Sequence, residues 1–225
     1  MSQLRRQPRP LSRDASSLRD DRLFIVACDD TYAPKQYFDF FQLTRVRITV
    51  VPTTDGECDA AHVLERLLIY EHEDYDELWM LLDTDHYVQG THLASFVRTL
   101  FEARRHDVKV ALSRPSFELW LLLHHVEETA VVDLADAREV EERLRAELGQ
   151  YNKAKLRREH YPPARVREAY FRAQNLDASV PGGEVPERAT TRVYRLWKAI
   201  VSEALPTQLR PELRALRESL FTARE

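Results

Sequence analysis

The sequence has little glycine and almost no cysteine. Only five glycines occur in 225 residues, and neither G-x-G-x-x-G nor G-x-x-x-x-G-K-S/T, the loops that cradle phosphates, is present. Dinucleotide cofactors and P-loop ATP binding are therefore not expected. The two cysteines, Cys28 and Cys58, give no disulfide framework, which predicts a reducing, cytoplasmic setting.

Long hydrophobic runs and a strong charge of one sign are also missing. No apolar stretch reaches the roughly 18 residues that a membrane span needs. Basic residues number 33 and acidic residues 37, for a net charge of −4, so the whole-molecule field does not by itself predict nucleic-acid binding. Residues 1–20 are basic and contain several serines and prolines, which predicts a flexible tail and no secretory signal.

From residue 21 to residue 128, short apolar runs alternate with segments of helical length. The run 22–28 has the continuous apolar composition of a strand buried on both faces, and Asp59 is placed to cap a helix over 59–72. The alternation predicts a Rossmann-like α/β domain with four mainly parallel strands flanked by helices. The predicted strands are 22–28, 45–51, 77–83 and 108–113, and the predicted helices are 33–43, 59–72, 91–105 and one with Pro115 in its first turn.

Residues 129–225 lack strand-like patterns. Their amphipathic segments predict an α-helical half packed on the α/β domain, with 180–186 as a loop. The predicted helices are 133–149, 153–161, 164–176, 190–205 and 208–221.

Carboxylates follow three of the four predicted strands. Asp29 and Asp30 come directly after the first strand, Asp83 and Asp85 end the third, and Glu118 lies in the first turns of the helix after the fourth. Ligands of open parallel sheets bind beyond the carboxyl ends of the strands, so we expect these acids to meet at one edge. Such hard oxygen donors suit Mg²⁺ or Mn²⁺, and no Cys/His set has zinc spacing.

Simpler roles are open for each of these residues. A single Asp after a strand is commonly a turn or capping residue, which applies to Asp30 and Asp85. His86 either lies beside the acids, as a general base or as their partner, or is a solvated loop residue. Glu118 stands in the apolar run "SRPSFELWLLLHH", where an unpaired charge is costly. It either binds metal or orients a basic residue such as Arg114 at the site, or it pairs structurally with a basic side chain.

Five stretches of the chain resemble the RloB-like family of bacterial proteins in order and spacing, over roughly residues 20–205. The most specific of them contains Phe-Glu-Leu-Trp-Leu. The resemblance implies a Toprim-type nuclease fold, a setting in phage defence or abortive infection, and an ATPase encoded nearby as a partner. The stretches are "RLFIVACDDTYAPKQYFDFF", "LWMLLDTDHY", "VALSRPSFELWLLLHH", "LGQYNK" and "ERATTRVYRLWKAI".

The resemblance also implies roles for the acids. Toprim domains hold Mg²⁺ with a glutamate after the first strand and an Asp-X-Asp after the third, which Asp83 and Asp85 match. Asp29 falls at the glutamate position, because the chain has "CDDT" at 28–31 where the family usually has Cys-Glu-Gly-Glu. The implied activity is metal-dependent hydrolysis of DNA or RNA phosphodiesters, with these three acids as metal ligands and all three, together with Glu118, as catalytic residues.

Basic side chains that could contact a nucleic-acid backbone are predicted in several places. If 153–161 is a helix, positions 153 and 157 share one face. A charge run of this kind is also typical of an ordinary solvated helix. The predicted contacts are Arg114, Lys153, Lys155, Arg157, Arg188 and Arg192, with Arg195 beside the last two.

Two other functions fit the same residues. The departure at 28–31 is also what a catalytically impaired subunit would show, one that binds nucleic acid or an ATPase of AAA or ABC type. Paired acids after the first strand, with another acid after the third, also suit a phosphate-accepting receiver domain, although the helical second half speaks against it. The sequence leaves open whether the substrate is DNA, tRNA or another RNA. It also leaves open whether the protein assembles into a homo-oligomer.

Overall fold

The computed structural model describes residues 22–41, 46–51, 59–85, 87, 92–180 and 183–222. The predicted tail 1–20, Cys58 and His86 lie outside the described residues. The elements in chain order are β1 (Arg22–Cys28), α1 (Ala33–Asp39), β2 (Val46–Val51), α2 (Ala60–Ile69), β3 (Glu77–Asp83), α3 (His92–Arg105), β4 (Lys109–Arg114), α4 (Glu118–Leu122), α5 (Ala137–Leu148), α6 (Pro163–Ser179), β5 (Thr190–Thr191), α7 (Val193–Glu203) and α8 (Pro211–Thr222).

The described strands form one sheet in the order β2-β1-β3-β4-β5. The first four strands run parallel to their neighbours, and β5 pairs antiparallel with the end of β4 through Ser113 and Thr191. The α/β class with a mainly parallel sheet is thus confirmed, whereas the prediction of four strands was wrong. The fifth strand was hidden because Thr190 and Thr191 directly precede an amphipathic helix, and the helical pattern of 190–205 absorbed them.

Both faces of the sheet are covered by helices. Along β1, Phe24, Val26 and Cys28 pack into one core with α1 and α4–α8, while Leu23, Ile25 and Ala27 pack into another with α2 and α3. This alternation explains the continuous apolar composition of the strand, since both sides of it are buried. The strands are therefore held rigidly, and their carboxyl ends make a fixed platform.

Helix ends follow the local capping chemistry. Asp59 caps α2 as predicted, because its Oδ1 accepts from the backbone N–H groups of Ala61 (3.0 Å) and His62 (3.3 Å). The fourth helix begins at Glu118, later than predicted. The Pro115 carbonyl accepts from the N–H groups of Thr84 (3.1 Å) and Asp85 (3.3 Å), so this part of the chain joins the ends of β3 and β4 before the helix starts.

Residues 153–161 do not form the predicted α-helix. Gly149, with φ of 70°, ends α5, and the next residues form turns, followed by a single 3₁₀ turn at Arg158–His160. Asn152 directs the turn, because its Oδ1 accepts from Ala154 N and its carbonyl accepts from Lys155 N, both at 2.9 Å. Lys153 and Arg157 therefore do not share a helix face.

The remaining predicted helices of the second half are present as α5, α6, α7 and α8, with ends shifted by a few residues. They bury one apolar side each against the sheet or one another. Within the described ranges, no helix is both long and apolar enough to cross a membrane.

Candidate active site

Asp29 and Asp83 lie side by side where the sheet order changes direction, at the carboxyl ends of β1 and β3. The backbone N–H of Asp83 donates to Oδ2 of Asp29 at 2.9 Å, and the N–H of Asp30 donates to Oδ1 at 3.0 Å. Burial raises the pKa of Asp29 to about 7, with the Asp30 charge adding to it and the N–H donors opposing it. Asp29 thus holds a proton near neutral pH far more readily than an ordinary aspartate.

Asp83 carries the strongest sign of crowded negative charge. Burial raises its pKa well above the usual range, and the charges of Asp29, Glu118, Asp30 and Asp85 each raise it further. These four acids come from the ends of β1 and β3 and from the start of α4. Charges from three elements therefore act on Asp83, and a common site for these acids stays a prediction.

Asp30 has a structural role as well as a place at this edge. Its Oδ1 accepts from the N–H groups of Tyr32 (2.7 Å) and Ala33 (3.3 Å), which shapes the turn into α1. Its Oδ2 lies 3.2 Å from Nζ of Lys153, although the carboxylate is almost fully buried. The turn role left open from sequence is present, and the ion pair brings a cation to the acids.

Glu118 is 2% exposed, and its apolar neighbours Leu119, Trp120 and Leu121 fill the core behind it. The hydroxyl of Tyr151 donates to Oε1 of Glu118 at 3.0 Å. Burial raises the pKa of Glu118, while the nearby Ser116 hydroxyl and the charge of Lys153 oppose the rise. The buried carboxylate is therefore held by the phenol of Tyr151 and lies within the influence of the Lys153 charge.

Arg114 is not the partner of Glu118. Its Nη1 donates to the carbonyl of Pro186 at 3.0 Å, so it fastens the loop before β5 to the end of β4. The structural pairing expected for Glu118 involves Lys153 and Tyr151, which lie more than thirty positions further along the chain.

Lys153 reaches the acids because its segment is fastened to α1. Gln36 donates from Nε2 to the carbonyl of Lys153 and accepts at Oε1 from the N–H of Leu156, both at 2.9 Å. Partial burial lowers the pKa of Lys153, but the charges of Asp30 and Glu118 outweigh it and raise the pKa overall. Its side chain stays 45% exposed, so the ammonium group is both paired and accessible.

The other predicted nucleic-acid contacts differ in accessibility. Lys155 and Arg157 are exposed on the turns after α5, and Arg188 is exposed before β5. The Arg192 side chain is only 12% exposed and pairs with Asp177 at 3.0 Å. It also donates to the carbonyls of Glu184 and Gly183, so most of its hydrogen-bonding capacity is used inside the protein.

His124 and His125 follow α4 without entering the acidic site. Nδ1 of His124 lies 2.9 Å from the carbonyl of Trp120, and Nε2 lies 3.1 Å from the hydroxyl of Tyr37. Burial lowers the pKa of His124 to about 3, so the ring is neutral, donating at Nδ1 and accepting at Nε2. His124 is therefore a satisfied core residue.

The donor chemistry of the edge suits a hard divalent cation, because its donors are carboxylates whose charges repel one another. The arrangement of the side chains is less favourable for a metal ion than their chemistry. Among the described residues, no three His, Cys, Asp or Glu side chains are arranged to hold a metal ion. Asp29 spends both oxygens on backbone N–H groups and Asp30 faces Lys153, so a cation here would draw on their remaining lone pairs and on Asp83 and Asp85.

Sequence reasoning missed three residues that shape the site: Gln36, Ser116 and Tyr151. Tyr151 stands in "LGQYNK", one of the stretches that resemble the family. The resemblance pointed to this stretch but not to the hydrogen bond that Tyr151 makes. Gln36 gave no signal, because a glutamine on an exposed helix face is ordinary.

The fold and the edge together define an α/β protein with a carboxylate-rich site at the switch point of its sheet. The family model described as RloB-like protein matches residues 24–200, and the chain therefore belongs to the RloB-like family. Comparison with curated proteins and with solved structures gave no match.

Proposed function

We propose that this protein is a metal-dependent nuclease that hydrolyses phosphodiester bonds of DNA or RNA, with a Toprim-type use of its acids. The observation that carries the proposal is the meeting of Asp29, Asp83, Asp85 and Glu118 at one sheet edge beside the accessible Lys153. Excess negative charge next to an accessible ammonium group is typical of a site that binds a cation and a phosphate together. A setting in phage defence, beside an ATPase partner, is part of the proposal and is supported by the family resemblance.

Asp29, Asp83 and Asp85 would hold Mg²⁺ or Mn²⁺. When bound, such an ion supplies Lewis-acid polarisation of the phosphate and lowers the pKa of a bound water. Lys153 binds a non-bridging phosphate oxygen and neutralises charge that develops there. Glu118 has a raised pKa, which suits its carboxylate to accept a proton from the attacking water. Tyr151 orients that carboxylate through the hydrogen bond to Oε1.

A catalytically impaired binding subunit is the second candidate. It is favoured by Asp30, which stands where the family usually has glycine and which pairs with Lys153. It is also favoured by the lack of a ready three-residue metal group among the described side chains. Such a subunit would keep the fold and the cationic segment for nucleic acid or an ATPase, without turnover.

The test is cleavage of pooled tRNA, single-stranded DNA and duplex DNA across a titration of Mg²⁺ and Mn²⁺. We expect metal-dependent cleavage that Asp83→Asn lowers more than about 100-fold, because even partners outside the metal's own ligands cost 10- to 100-fold. Asp74→Asn, the same change in an exposed turn, is the matched control and should cleave like the wild type.

Equal cleavage by Asp83→Asn and the wild type would remove the proposed site. Absence of cleavage in both, with an ATPase partner captured by pull-down, would favour the binding subunit. Asp29→Glu restores the family's usual residue, so an impaired site should gain activity from it.

A further inference from the structure

A cavity of about 230 Å³ is lined by Tyr151, by the end of α5 and by Tyr161. Its polar lining comes from Gln150, Asn152, Lys155, Arg157 and His160. Of these residues, Lys155, Arg157 and His160 belong to the segment 153–161 that was wrongly predicted as a helix. The turns bring together cations that a helix would have spread around its surface.

No acid is among the described residues that line this cavity. The other cavities differ. A cavity of about 760 Å³ beside β4 is lined by the acids Asp177 and Glu184 as well as by basic residues. Asp177 is paired with arginine. One of about 400 Å³ near Arg114 includes Asp133 and Glu187. The cavity beside Tyr151 therefore keeps a positive charge that those cavities neutralise internally.

The two cations of the cavity are prepared for an external anion. With the Gln150 amide oriented so that its oxygen faces Arg157, it accepts from Nη1 at 3.0 Å and Nη2 at 2.7 Å. The neutral amide orients the guanidinium without cancelling its charge, and Glu159 lies 3.9 Å away, beyond hydrogen-bonding distance. No acid among the described residues pairs with Lys155.

Tyr151 joins this cavity to the acidic edge. Its hydroxyl bonds to Glu118, and its side chain lines the cavity. Lys153, two residues on, reaches Asp30 while Lys155 turns to the cavity. One short segment thus presents cations to two places separated by a single tyrosine side chain.

We propose that this cavity binds the phosphate next to the one at the acidic edge, so that a single nucleic-acid strand is held at two consecutive phosphates. The inference rests on the proposed function for the identity of the first phosphate. Leu148, Leu156 and Tyr151 give the lining an apolar part that fits a sugar or an unpaired base. An unpaired base can enter a space of this size and a base pair cannot, so we expect single-stranded nucleic acid or an unpaired end as the substrate class.

The test is binding without turnover. Full-length Asp83→Asn protein in a chelating buffer is titrated against a short fluorescein-labelled single strand, as DNA and as RNA, and against the matching duplex. Adding Lys155→Gln and Arg157→Gln should weaken single-strand binding about 10-fold or more, since two charge-assisted contacts are lost. The slope of log affinity against log salt should fall by about 0.7 per lost contact.

The matched control is Arg158→Gln with Lys198→Gln, which removes the same charge from exposed positions outside the cavity. It should stay within about 2-fold of the parent. If both pairs of substitutions weaken single-strand binding equally, the effect comes from net charge alone, and the proposed subsite is overturned. Absence of single-strand binding, or equal binding of duplex, would overturn it too.

Failure of the two proposals can be told apart. Cavity-dependent binding by a wild-type protein that never cleaves leaves the subsite standing and removes the nuclease. Cleavage whose KM is unchanged by Lys155→Gln with Arg157→Gln keeps the nuclease and removes the subsite.

Discussion

At Glu118 the chain places a carboxylate where burial alone would favour its neutral form. Tyr151, Ser116 and Lys153 lie near it, yet burial outweighs them and leaves the pKa of Glu118 raised, so the ionised carboxylate is costly even with these partners in place. The apolar neighbours fix the carboxylate in place, and the polar partners set its proton affinity.

The hydrogen bond between Tyr151 and Glu118 should be measurable as a coupling. Tyr151→Phe should destabilise the wild-type protein more than it destabilises the Glu118→Gln variant, in which no carboxylate accepts the hydrogen bond. We expect a coupling of about 1.5 kcal/mol, because hydrogen bonds to a charged group contribute about 1.5–3 kcal/mol. Urea unfolding of all four proteins measures it.

The control for this cycle is Tyr32→Phe, the same change on a tyrosine that is half exposed. It should change the free energy of unfolding by less than about 0.5 kcal/mol. Strict additivity of the Tyr151 and Glu118 changes would mean that the bond contributes nothing.

At the scale of elements, a short irregular segment does more for the site than any helix after α4. Residues 150–157 carry Tyr151 and Lys153, and Gln36 fastens them to α1 with two hydrogen bonds. A segment held by so few contacts depends on each of them, since its own backbone makes no regular ladder.

Gln36→Ala should loosen this segment. We expect the Leu156 amide to exchange with solvent faster, because it loses its acceptor, and the free energy of unfolding to fall by about 1–2 kcal/mol. Hydrogen exchange followed by NMR or mass spectrometry reads the first effect directly. Lys35→Ala, the adjacent exposed position in α1, should leave exchange at Leu156 unchanged, and a similar rise in both variants would count against the fastening.

The elements differ in how far sequence could predict them. β1 and β3 were predicted to the residue, because a buried parallel strand is a continuous apolar run with clear ends. The helix over 153–161 was wrong because its residues are charged without an apolar period, so nothing in them requires a helix. β5 could not be seen at all, since two threonines form a strand only when β4 offers them an edge.

The site was predictable in the same uneven way. The acids after β1 and β3 follow from a general rule about parallel sheets, and the rule needs only the strand ends. The approach of Tyr151 and Lys153 depends on a contact between positions more than a hundred residues apart. No local pattern encodes such a contact in a single sequence.

For the whole molecule, the excess charge at the sheet edge links metal binding to stability. A cation that binds the folded chain alone adds RT ln(1 + [L]/Kd) to the free energy of unfolding, about 2.7 kcal/mol at a hundredfold excess over Kd. We therefore expect Mg²⁺ or Mn²⁺ to raise the thermal midpoint and a chelator to reverse the rise. Scanning calorimetry with and without the chelator measures both.

The Asp83→Asn variant is the control for this shift, since it keeps the fold and removes a proposed ligand. It should respond to the ion far less than Asp74→Asn, in which the change is remote from the edge. An identical rise in both variants would locate the ion elsewhere on the protein.

The antiparallel strand β5 has a consequence for how the protein is made. The last partner of β4 lies at residues 190–191, and Lys153 and Tyr151 also follow the whole α/β region. During translation, the acids at the sheet edge therefore emerge long before the residues that complete them, at a pace of about 5–20 residues per second. A nascent chain therefore has the acids without their cation and phenol until nearly all of these residues have left the exit tunnel.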